Sequence, residues 1–275
     1  MAELSILVDE SGEQEGPSGF YLVTLVFHDQ AMPIDRAVAG YHADLAAKGL
    51  PDVPFHVGSL KNGHDAFENL DLAERRRLMA CFSGFVRRID VRYRTLAYPR
   101  REVGTTERLA ARLAHDLRAL FVENQPLMQS HGVVKTYYDD GQPVLASVLK
   151  ESLADVLGKQ AVRYRNADPK HYLLLQAADY ICDVELAAIK YGNGAQTATD
   201  ERFYGNRRQF MREVRIAARA RRRVLEQWQA RKRREVTHPY LKEKIRWGEV
   251  PFAQAMLLAK HLRGDLDGYP PFFWK

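Results

Sequence analysis

Cysteine is nearly absent from this 275-residue chain: Cys81 and Cys182 stand alone, far apart and without metal-type spacing. That excludes a disulfide scaffold and a zinc–cysteine site, and it points to a reducing cytoplasm. No apolar run is long enough to cross a bilayer, and the first residues lack the basic start and apolar core of a signal peptide. A cytoplasmic protein without a membrane partner is therefore expected. There is no Gly-rich phosphate loop and no Ser nucleophile elbow, which sets those two chemistries aside. Internal repeats are also missing, and the nine histidines show no metal-ligand spacing.

What is present suits a globular protein. The chain is 46% hydrophobic and 10% aromatic, enough to bury a core, and long enough for one large domain or a domain with an appendage. The charge of +6 is unevenly spread. Between Arg207 and Arg234 twelve Lys or Arg stand against two Glu, a local net of +10, so the remainder carries −4. A basic arm on a mildly acidic body suggests a polyanionic partner for the arm.

Leu4 to Val8 and Phe20 to Phe27 read as strands of an antiparallel hairpin, joined by a Gly/Pro/Ser-rich connection. Helical periodicity spans residues 34–47 and 71–89, the second with Leu72, Leu78, Cys81, Phe82 and Phe85 as its inner stripe. A strand over 91–96, a helix over 107–123 and a strand over 133–138 follow. Then come a helix over 144–157, a short strand over 160–164 and a helix over 171–189. Strands alternating with helices after an opening hairpin imply an α/β fold, a mixed sheet with helices packed on it.

The candidate chemistry lies in carboxylates. Asp9-Glu10 end an apolar strand and Asp139-Asp140 end another, and ligand sites of open α/β sheets lie beyond such strand ends. Gln176, Asp179 and Asp183 share one helix face at i, i+3 and i+7. Burying a lone carboxylate costs several kcal/mol unless it is paired or bound to a cation. Converging carboxylates suit Mg2+ or Mn2+, hard cations that prefer oxygen ligands and serve phosphoryl chemistry. Plainer readings stand beside each motif: a polar turn at 9–12, an ordinary Asp-Asp-Gly turn at 139–141, and a helix with a wet edge at 176–183.

Three motifs together carry a resemblance. Val8-Asp9-Glu10-Ser11-Gly12, Tyr137-Tyr138-Asp139 and Leu175-Gln176-Ala177-Ala178-Asp179-Tyr180, closed by Phe203-Tyr204-Gly205-Asn206-Arg207-Arg208 and Phe210, resemble the DUF3800 family, an uncharacterised bacterial and phage domain. The similarity covers roughly the first four-fifths of the chain. It implies a ribonuclease H-like fold, related to retroviral integrases: a mixed five-stranded sheet with acids on the first strand, the fourth strand and the last helix. On that resemblance Asp9, Asp139 and Asp179 are the metal ligands, with Glu10 and Asp140 as substitutes. It also carries a histidine near His56, which would orient the attacking water or protonate the leaving oxygen. A satisfied core histidine is the alternative. Gln176, Asp140 and Asp183 are assigned to substrate positioning.

Beyond the first domain, residues 1–211, the segment 212–275 reads as a basic amphipathic helix and an apolar, aromatic tail. Arg208, Arg212, Arg215, Arg219 and Arg222 form one stripe at helical spacing, suited to nucleic-acid phosphates. A salt-bridged helix against the acidic body and a helix on an anionic membrane are its rivals. The tail around Trp247 and Tyr269 to Trp274 is expected to fold back or make a homodimer contact. The leading functional expectation is a Mg2+- or Mn2+-dependent nuclease hydrolysing phosphodiester bonds in a phage-defence or mobile-element setting. An inactive nucleic-acid-binding or interaction protein of the same fold is the alternative.

Overall fold

A computed structural model describes residues 3–12, 19–139, 141–158 and 161–210. Strand β1 (Glu3–Gly12) pairs antiparallel with β2 (Phe20–Asp29), from Leu4 opposite Asp29 to Gly12 opposite Tyr21. Helix α1 (Asp35–Ala47), the short α2 (Val57–Asn62) and α3 (Leu72–Arg88) lead to β3 (Arg92–Pro99), antiparallel to β2. After α4 (Arg100–Val103) and the long α5 (Thr106–Gln129), β4 (Val133–Tyr138) returns parallel to β1. Helix α6 (Pro143–Leu157) crosses to β5 (Val162–Asn166), parallel to β4. Helix α7 (Leu173–Asn193), then α8 (Ala198–Tyr204) and α9 (Arg207–Gln209), complete the described chain. The sheet order is β3-β2-β1-β4-β5, a five-stranded mixed sheet flanked by helices.

The sheet divides two cores. Leu7, Val26 and Tyr93 face α1, α3 and α7, where Phe55, Phe82, Tyr180 and Ile181 are buried. Leu4, Ile6, Val8 and Val23 face α5 and α6, meeting Leu117, Phe121 and Leu149. The central strand is covered on both sides, which is why it reads as an apolar run rather than an alternation. Helix α7 lies against β1 and β2; Ala177 and Ala178, both fully buried, leave room for the close approach.

The expected opening hairpin and mixed sheet are present. Local differences have physical causes. Asp71 is not in α3 but caps it, in a reciprocal capping box with Glu74. Helix α5 runs on to Gln129 past the expected end at 123, with Pro126 inside its last turn, where the missing N–H removes a single bond. Strand β5 begins two residues late because its pairing with β4 sets Val162 opposite Val134. Helices α2 and α8 were not read from the sequence at all. The basic extension, and with it the division of the chain at 211/212, the homodimer contact and Arg212, Arg215, Arg219 and Arg222, lies outside the described residues. No helix among the described residues is long and apolar enough to cross a membrane.

Candidate acidic site at the sheet end

Asp9 occupies the last part of the central strand, and its surroundings follow from the two-residue period of that strand. Leu7 belongs to the core under α7, whereas Ile6 and Val8 belong to the core under α5 and α6. Asp9 therefore turns toward α7, and Glu10 toward the opposite face. The α7 side is secured by the thiol of Cys182, which donates to the Asp9 carbonyl at 3.8 Å. Burial holds the Asp9 carboxyl well above the ordinary carboxylate range, and Asp179, Glu10 and Asp139 push it further in that order.

Asp179 lies nearly two turns into α7. Burial raises its carboxyl to about 6, while His56 and the Val57 N–H pull the other way. That N–H donates to Asp179 Oδ2 at 2.8 Å. Two residues earlier, the Phe55 N–H donates to Gln176 Oε1 at 3.0 Å. The segment carrying His56 is thus hung on α7 by two backbone bonds, and Phe55 stacks on Phe82 with ring centroids 3.8 Å apart. These anchors bring His56 within electrostatic reach of Asp179, although the two are 123 residues apart in the chain.

His56 is exposed, not a core histidine, and it caps α2: its Nδ1 accepts the Ser59 N–H at 3.1 Å. An accepting Nδ1 leaves the proton of the neutral ring on Nε2, a donor toward solvent or substrate. Ser59 in turn donates its hydroxyl to Asp65 at 2.6 Å.

Glu10 and Asp139 meet at the end of the sheet. A Cβ added to Gly141 would stand 3.1 Å from Glu10 Oε1 and 3.2 Å from Asp139 Oδ1, so the chain passes both carboxylates where only glycine fits easily. Asp139 is exposed and accepts the Gly141 N–H at 3.0 Å. Burial raises Glu10 to about 7, with Asp139 adding to the rise and a hydrogen bond from the Tyr138 hydroxyl opposing it. The Tyr138 hydroxyl itself accepts the Gln142 N–H at 2.8 Å.

Several sequence expectations need correction. Glu10, next to Asp9 on the strand, points to the opposite face of the sheet and comes up beside Asp139. Gln176 is 3% exposed and its amide is occupied at both ends, by Phe55 and by the Pro169 carbonyl at 2.8 Å. Its two bonds tie the His56 segment and the Pro169 carbonyl to α7. Asp183 is likewise engaged inside the protein: Lys61 donates to it at 3.2 Å and the Tyr204 hydroxyl at 2.5 Å. Arg208 is exposed on α9, and Asp140 lies outside the described residues. The sequence reading missed Lys61, which is 11% exposed and also binds Asp200 at 2.8 Å. Burial opposes its charge, but Asp183 and Asp200 together keep its ammonium above the ordinary range. Tyr138 was missed as well. Its signal was a tyrosine ending an apolar strand, a phenol that needs a partner when buried.

Asp9 thus feels the charges of Asp179, Glu10 and Asp139 at one end of the sheet. Among the described residues, no three His, Cys, Asp or Glu side chains are gathered tightly enough to hold a metal ion as they stand. The donor chemistry nevertheless fits a hard divalent cation, since the carboxylates are oxygen donors whose mutual repulsion a cation would relieve.

A stretch of 56 residues is 59% identical to the CRISPR-associated endonuclease Cas1 2 of Rhodospirillum rubrum, covering 20% of this chain and 16% of that protein. One fifth of the chain resembles a Cas1 endonuclease. The same length is 46% identical to CRISPR-associated endonuclease Cas1 1 of Chlorobaculum tepidum and 45% identical to CRISPR-associated endonuclease Cas1 of Leptospira interrogans. The chain spans about a sixth of the length of the first two curated relatives, at 16% of each. No family model matches the chain, and no solved structure matches it. The resemblance to DUF3800, and through it to the ribonuclease H and integrase superfamily, is therefore not upheld: the relatives found carry the Cas1 name instead.

Proposed function

We propose that the chain is a divalent-metal-dependent nuclease that hydrolyses phosphodiester bonds, acting in a CRISPR-associated setting. The observation that carries the reading is the carboxyl of Asp9, buried at the sheet end and held well above the ordinary carboxylate range by burial and by Asp179, Glu10 and Asp139. Such a cluster is costly in a fold unless a cation neutralises it. Bound there, Mg2+ or Mn2+ would polarise the phosphoryl oxygen and lower the pKa of a bound water. Asp9, Asp139 and Asp179 would hold the cation. His56, donating through Nε2, would meet a phosphate or leaving oxygen at the mouth of the site. The relatives' printed name supports the endonuclease reading, and the arginine stripe at Arg208, Arg212, Arg215, Arg219 and Arg222 supports a nucleic-acid partner.

The lack of a ready three-ligand group among the described residues favours one second reading, a nucleic-acid-binding protein without turnover. Labelled RNA, DNA and hybrid substrates, incubated with Mg2+, Mn2+ or EDTA, separate the two. Cleavage that needs the cation and disappears in Asp179→Asn supports the nuclease. Binding without cleavage of every substrate, under all metal conditions, supports the second reading.

A further inference from the structure

A cleft of about 360 Å³ opens on the α5/α6 face of the sheet, with Gly141 on its rim beside Glu10 and Asp139. Its floor is Tyr21, buried, with the Arg100 guanidinium over the ring at 5.4 Å from its centroid. Leu109 and Leu113 from α5 and Val144 from the start of α6 form an apolar wall. Val144 is 39% exposed, one of four large hydrophobic side chains on the surface among the described residues. Gly141 and Gln142 make the edge nearest the acids: the Gly141 N–H donates to Asp139, and a Cβ added at Gly141 would stand 3.1 Å from Glu10 Oε1. No side chain stands at Gly141 between this cleft and those two carboxylates.

Ligand pockets run from about 300 to 1,000 Å³, so this one has room for a single base but not for a duplex. An apolar wall beside a guanidinium matches the two halves of a nucleotide, a flat base and an anionic phosphate. We infer that the cleft receives one unstacked nucleotide of the strand, next to the phosphodiester presented to the acidic site. Its base lies against Leu109 and Val144 and its phosphate toward Arg100. A base can enter such a pocket only outside a helical stack, so the substrate class is single-stranded nucleic acid or a locally opened duplex. The inference deepens the nuclease reading by naming the substrate form, and it rests on that reading for the position of the cut.

The test uses the full chain and fluorescently labelled single-stranded and duplex oligonucleotides, with binding read by anisotropy in EDTA so that no turnover intervenes. Val144→Trp fills the cleft from an exposed position, and Arg100→Gln removes the cation; melts check that both variants fold. Single-strand affinity should fall roughly tenfold or more in Val144→Trp, the order of one lost base contact, while duplex affinity holds. If both variants bind single strands as the wild type does, or if duplex binding falls equally, the inference is overturned. Absence of cleavage in the wild type, with single-strand binding still lost in Val144→Trp, would remove the nuclease reading and leave the nucleotide cleft standing.

Discussion

Replacing Asp179 by Asn tests the electrostatics of the site without reference to any substrate. In the folded protein the Asp179 carboxyl titrates at about 6 instead of 3.8, chiefly because it is buried. The native state therefore keeps a proton that the unfolded chain releases. Stability from this group is complete below about pH 3.8 and is lost as pH rises through about 6. About two pK units at about 1.36 kcal/mol each make the loss of order 3 kcal/mol between pH 4 and 7. Asn has the same shape, still accepts the Val57 N–H and does not ionise, so the variant should lack this fall. At about 2–4 °C per kcal/mol for a chain of this size, the two proteins should differ by roughly 6–12 °C in midpoint shift across that range. Thermal or urea melts from pH 4 to 8 in EDTA measure it. Mn2+ should restore the wild type at pH 7, by about 2.7 kcal/mol at a hundred times its dissociation constant, and restore the variant less. A wild-type stability that is flat from pH 4 to 7, or equal slopes in the two proteins, would refute the reasoning.

Three further outcomes are expected. Lys61→Met removes the ammonium shared by Asp183 and Asp200, leaving Asp200 only the longer pair with Lys190 at 3.9 Å, and should cost about 3–5 kcal/mol by urea unfolding; the added change Asp200→Asn should recover part of the loss. Phe82→Ala removes the ring stacked on Phe55 and should cost about 3–5 kcal/mol. The same variant should raise amide exchange at Phe55 and Val57, whose N–H groups hold the His56 segment to α7. Gly141→Ala places a methyl against Glu10 and Asp139 and should lower cleavage at least tenfold with a midpoint change under a few degrees; unchanged turnover would show that these two carboxylates have room to move.

Periodicity along the sequence was enough to reveal the central strand, the opening hairpin, the alternation of strands and helices and the shared face of Gln176, Asp179 and Asp183. Each of these is a local pattern of apolar and polar residues, set by the period of a strand or a helix. Asp9, Asp139 and Asp179 were visible for the same reason, as acids at strand ends and on a helix face. Tertiary structure decided the rest. Which of Asp9 and Glu10 faces α7 depends on which sheet face each neighbour packs against, and two adjacent acids look alike before that is known. The His56 segment is placed by bonds to Gln176 and Asp179, more than a hundred residues away, and no local pattern records such a partner. Lys61 looked like a solvated lysine on a short, unread helix until packing set it between Asp183 and Asp200, where burial makes its charge pairing obligatory.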